Sequence, residues 1–136
     1  MRKRCIMNVA KQRFMIHSEI DIISARMAVR EYARHCGMSL KDQACISMAA
    51  SSMANSLGLG QKAVAGSGEI LIEYLECAPK RGVRVSCTKR YAENEAPQSI
   101  HHMESSRWLV DDIKIKALSA NRVEIVITKW DSLFKG

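Results

Sequence analysis

Two pairs of alternating segments constrain this chain more than anything else in it. The first pair is GEILIEYLE and VRVSC, joined by CAPKRG. In GEILIEYLE, Ile70, Ile72 and Tyr74 fall on one side, and Leu71, Glu73 and Leu75 on the other. In VRVSC, Val83, Val85 and Cys87 share a side. A period of two is the spacing of a strand with one face buried. Pro79 and Gly82 supply the turn, so the pair reads as a hairpin. The second pair is IKIKAL and RVEIVITKW, joined by SAN. Ile113, Ile115 and Ala117 are expected to point inward, with the lysines outward. Val123, Ile125 and Ile127 offer the facing side. A short apolar signal at Phe14–Ile16 adds another strand.

One-sided strands need a covering layer. Two helices between Phe14 and the first hairpin supply it. Ile22, Ala25, Val29, Ala33 and Cys36 recur at helical spacing, while Arg26, Arg30 and Arg34 mark another face. Gly37 is a natural stop. Ser39 and Asp42 mark the next start, a hydroxyl for the free amides and an acid for the positive helix end. This second helix is predicted to reach about Ser56. Leu40, Ala44, Met48 and Ser51 lie on one side of it, with Cys45, Ala49 and Met53 beside them. Its small residues suit close packing on a sheet.

GLGQKAVAGSG reads as a flexible connector. KRYAENEAPQSIHHMESS is polar and reads as a loop with a short helix around Ile100 to Glu104. Arg107 to Asp112 reads as a brief helix. Strands and helices segregate rather than alternate. The expected fold class is therefore α+β: a two-layer α/β sandwich with a mixed, mostly antiparallel sheet and helices on one face. With 136 residues the chain suits one domain, expected over 12–136 behind a basic tail at 1–11.

Aromatics make up only 5%, so the core must be aliphatic, with methionine among its fillers. No apolar run approaches the ~20 residues of a membrane helix, so no membrane partner is expected. The basic start lacks the apolar stretch of a signal peptide, which suggests a cytoplasmic protein. Cys5, Cys36, Cys45, Cys77 and Cys87 show no C-x-x-C spacing. They read as free thiols without structural zinc. The net charge of +7 is scattered, apart from MRKR at the start.

EIDIISARMAVREYARHCGMSLKDQACISMAA, residues 19–50, resembles the first two helices of the anti-sigma-factor serine kinases. The similarity is greatest to the RsbT-type switch kinases of the bacterial stressosome. It lies in EIDI followed by SAR, in the G-M-S-L-x-D-Q-A junction, and in Ile46. LVDDIKIKALSANRVEIVITKW is similar to the last helix and closing hairpin of the same family, down to Lys129 and Trp130. The resemblance implies a Bergerat-type, histidine-kinase-ATPase-like fold, shared with gyrase, histidine kinases and MutL. ATP would lie between the second helix and a lid, with magnesium held by a helix asparagine. It also implies a helix acid as base, an aspartate for the adenine amino group, and glycine-rich loops around the phosphates.

This chain departs from that pattern at each position. Ser52 stands where the resemblance puts the helix acid, and Ser56 where it puts the magnesium asparagine. Asn55 is one place early, about 100° away around the helix. Lys89 falls at or near the adenine aspartate's place, and no D-x-G-x-G follows; Glu93 and Glu95 lack glycine companions. No glycine lies between Ala96 and Trp108, where the lid would be. A serine hydroxyl is no base near neutral pH, and a lysine presents a donor to a donor. Met48 and Met53 are expected to fill the former cavity.

The resulting expectation is an RsbT-like regulatory protein of a sigma-factor or stress-signalling partner switch, acting by protein–protein binding. No catalytic residue, cofactor or metal is expected. The family's partners are STAS-domain antagonists and a phosphatase, and Arg26, Arg30 and Arg34 form the expected docking face. The first alternative is an active serine/threonine kinase using ATP with magnesium on a STAS-domain antagonist. The second is a basic nucleic-acid binder, disfavoured because no recognition helix or aromatic platform is visible. His101, His102 and Glu104 read as an exposed loop rather than a metal site. The glycine-rich connector lacks phosphate-loop spacing.

Overall fold

A computed structural model describes residues 6–59, 68–77, 79–91, 106–119 and 121–131, with side chains described from Lys11 onward. The elements are β1 (Ile6–Ile16), α1 (Glu19–His35), α2 (Leu40–Ser56), β2 (Gly68–Cys77), β3 (Lys80–Arg90), β4 (Asp112–Ser119) and β5 (Arg122–Trp130). The strands form one sheet in the order β1-β2-β3-β5-β4. Every neighbouring pair in it is antiparallel, so the sheet is not mixed. The two helices pack on one another and on the sheet, α1 against β1, β2 and β3, and α2 against β3 and β5. This is a two-layer α+β arrangement.

Both hairpins form as their alternation predicts. Val83, Val85 and Cys87 are fully buried, as are Ile125 and Ile127 across from them. Burying each such side chain stabilises by roughly 1.5–3 kcal/mol. Ile22, Ala25, Val29, Ala33 and Cys36 are all buried on the inner face of α1. Its start is held by Asp21, whose carboxylate accepts the His17 amide at 2.8 Å and the Ser18 amide at 3.1 Å. These bonds favour the ionised form and lower the Asp21 pKa. Gly37 takes φ of 91°, the left-handed conformation that ends α1 without a Cβ penalty. Ser39 caps α2, accepting the Asp42 amide on its Oγ at 3.1 Å.

Several expectations are corrected. β1 is not confined to Phe14–Ile16 but reaches back to Ile6, so residues 6–11 belong to the sheet rather than to a tail. Their pairing comes from the length of β2 alongside, with a register shift between Met7 and Lys11. The brief helix expected over Arg107–Asp112 is a short 3-10 helix over 106–109, and Asp112 already belongs to β4. Ile113 is buried, but Ile115 and Ala117 are exposed, because β4 is the sheet edge beyond the strands that α2 covers. On α2, Leu40 and Met48 face solvent, while Ile46, Ala49, Ala50, Met53 and Ala54 form the core face. Small residues all round this helix leave its orientation to be set by what packs on it.

Cys36, Cys45 and Cys87 are free, as expected, but Cys77 is disulfide-bonded. Linear spacing carries no trace of which cysteines pair. The expected short helix at residues 100–104, with His101, His102 and Glu104, lies outside the described residues. So does most of the glycine-rich connector.

Candidate functional site

The inner layer is tied at one end by a polar cluster. Asp42, in the first turn of α2, and Lys129, on β5, are both buried, and their Oδ1 and Nζ atoms lie 3.7 Å apart. One residue further along α2, Gln43 donates its Nε2 to the Met38 carbonyl at 3.0 Å and pins the junction between the helices. Around Gly37, the Asp131 Oδ2 and Arg81 Nη2 atoms stand so close that a Cβ would meet them at 3.4 and 3.5 Å. Cys36 sits beside these charges. Burial and the Asp131 carboxylate push its thiol up to about 11.

From that anchored end, α2 runs along β3. At about 1.5 Å per residue its length is close to the reach of β3 from Gly82 to Lys89. Leu59, just past the helix, covers Gly68, where an added Cβ would overlap the Leu59 Cδ2 atom. Gly68 is the cross-strand neighbour of Lys89. The structure thus brings the C-terminal end of α2 and Lys89 to the same end of the layer. Ser56 is buried, Ser52 is half-buried, and Asn55 is exposed on another side of the helix. The Ser51 hydroxyl is buried with no hydrogen-bond partner among the described residues. Met53 is fully buried, whereas Met48 is exposed and fills no interior space.

Lys89 is the largest of the fully buried side chains, 1% exposed. Its ammonium lies 5.2 Å from the centroid of the Tyr91 ring, a cation–π contact that offsets part of the desolvation. Cys87, two residues back on the same face, has its pKa raised by burial. On one side, therefore, this end of the layer offers a lysine over an aromatic ring. On the other it offers serine hydroxyls. No carboxylate occupies α2 between Gln43 and Ser56. Among the described residues such a set has neither a general base nor a hard oxygen-rich cage for magnesium. No group of three His, Cys, Asp or Glu suited to a metal occurs among the described residues.

Arg26, Arg30 and Arg34 lie apart from this end, exposed on α1. Arg34 is engaged by Glu31, donating its Nε at 3.0 Å and Nη2 at 2.8 Å. Arg26 and Arg30 make no ion pair among the described residues. Beside them runs a feature the sequence reading missed. Ile20 is 71%, Ile23 42% and Met27 65% exposed. With spacing i, i+3 and i+7 they line one stripe, continued by Arg30 and Arg34 at the next turns. The signal was present, since α1 carries two apolar stripes, but only one can face a core. Exposed apolar side chains grouped this way mark contact surfaces.

No helix among the described residues is long and apolar enough to cross a membrane. No protein-family model matches the chain, and no curated protein matches it.

Proposed function

We propose that this chain is an RsbT-like regulatory protein of a bacterial partner switch, built on a histidine-kinase-ATPase-like domain whose nucleotide site has lost its chemistry. It acts by binding a protein, and its partner is a STAS-domain antagonist or a phosphatase. The observation that carries the reading is Lys89. The resemblance puts an adenine-accepting aspartate at or near this position, and here stands a buried lysine whose ammonium lies over the Tyr91 ring. An ammonium there presents a donor to the adenine amino group, itself a donor, where the resemblance calls for an acceptor.

Two further observations support the reading. The segments that carry the resemblance are far apart in sequence, yet Asp42 of one contacts Lys129 of the other. On this reading the frame persists where the chemistry does not. The α1 stripe then provides a way to act without phosphoryl transfer. Its apolar half (Ile20, Ile23, Met27) supplies buried area, and Arg26 and Arg30 select an acidic rim.

Calorimetric titration of the full chain with ATP and magnesium is expected to show no saturable heat. Capture of a STAS-domain partner from native lysate is expected to be the same with and without ATP. It is expected to be lost in Met27→Asp or Arg30→Glu. Micromolar nucleotide binding followed by phosphate transfer to that partner would overturn the proposal and establish the kinase alternative.

A further inference from the structure

The sheet face opposite the helices carries its own feature, independent of the function proposed above. Side chains on this face come from Arg84, Ser86, Thr88 and Arg90 of β3 and from Arg122, Glu124, Val126 and Thr128 of β5. In the β3–β5 ladder Arg90 stands directly opposite Arg122. Directly opposed residues hold their Cβ atoms about 5 Å apart, and like charges so placed are destabilising. Both arginines are exposed, and neither makes an ion pair among the described residues. Each could have been a threonine or glutamate, as at Thr88 opposite Glu124 one row away.

Next to this pair is a concavity of about 190 Å³, lined by Met15, Gly68, Glu69, Thr88, Arg90 and Arg122. Glu69 is the one carboxylate in the lining. It is taken up by Arg13, whose Nε lies 3.7 Å from its Oε2. The neighbouring trough of about 360 Å³ is different. There Arg84, Lys114 and Lys116 are matched by Glu73, Asp112 and Glu124, and the Arg84 Nη2 atom is 3.0 Å from Glu73. Of these two concavities, among the described residues, the Arg90–Arg122 corner is the one where positive charge is unbalanced.

We propose that this corner is an oxyanion site for a phosphate dianion. Two guanidinium forks present bidentate donors, and Thr88 adds a hydroxyl. A dianion neutralises both arginines and removes their mutual repulsion, whereas a carboxylate would neutralise one. The phosphate is either the free inorganic ion or the group of a phosphate monoester.

The test is a titration of the isotope-labelled full chain with inorganic phosphate at constant ionic strength, followed by amide resonances. A parallel arm uses O-phosphoserine. Saturable shifts at Thr88, Arg90 and Arg122 are expected. Arg90→Gln and Arg122→Gln should each weaken binding by about tenfold, the loss of one charge-assisted pair. Lys41→Gln removes the same charge from the helix layer and should leave binding unchanged. Phosphate should also raise the melting temperature of the parent chain but not of Arg122→Gln. Tighter binding of O-phosphoserine assigns the site to a monoester, and tighter binding of inorganic phosphate to the free ion. Shifts that fail to saturate at tens of millimolar, or equal weakening by Lys41→Gln, would refute the site.

Discussion

Replacing Lys129 by Met removes the cation that stands beside the buried Asp42 carboxylate. The two charges lie 3.7 Å apart, and both residues are buried. At an effective dielectric constant near 20, their attraction is about 4–5 kcal/mol, most of it set against the desolvation of the pair. Removing one partner forfeits the attraction but keeps the other charge's desolvation cost. The α2 amides offset part of this for Asp42. The expected loss is about 3 kcal/mol for Lys129→Met, and about 2 kcal/mol for Asp42→Asn, which strands the ammonium instead. For a chain of this length, 3 kcal/mol lowers the melting temperature by about 10 °C. The double variant removes both charges, so it should be little worse than Lys129→Met alone. Urea unfolding of the four proteins gives the coupling energy directly, with about 2 kcal/mol expected. Additivity within about 0.5 kcal/mol would refute the argument that this contact locks α2 to β5.

Gly82→Ala should cost about 1–3 kcal/mol in urea unfolding, because the added Cβ would lie 2.6 Å from the Lys129 carbonyl oxygen, a backbone atom that cannot swing away. Thiol labelling in denaturant without reductant should modify Cys36, Cys45 and Cys87 and spare Cys77, with peptide mass spectrometry as the readout. Stability should fall in alkali. A thiol whose folded pKa is raised binds its proton more tightly in the folded state, so its contribution is complete below the unfolded value near 9. For Cys36 that contribution is lost as pH rises toward about 11, at up to about 1.4 kcal/mol per pH unit. Melting curves between pH 8 and 11 should therefore flatten in Cys36→Ala relative to the parent chain.

Much of the framework is legible in the sequence because it rests on local periodicity. Val83, Val85 and Cys87, and Val123, Ile125 and Ile127, alternate with polar neighbours, and strand pairing needs no more than that. The Gly37–Ser39 junction is equally local, a left-handed stop followed by a hydroxyl cap. Where the signal is weak or doubled, sequence reading fails. IMNVAKQ at the start of β1 has no clean alternation and joins the sheet only because β2 runs beside it. α1 carries two apolar stripes, and periodicity cannot say which one the sheet will claim.

The sequence by itself determined the number and kind of most elements, and it left α2 without a carboxylate between Gln43 and Ser56. Tertiary structure alone decided that Lys89 is buried with its ammonium over Tyr91, that Asp42 reaches Lys129, that Ile20, Ile23 and Met27 are left outside, and that Arg90 confronts Arg122. The physical reason is range. Turns, caps and alternation act over a few residues, whereas burial and charge pairing depend on strand register and layer contact between segments tens of residues apart.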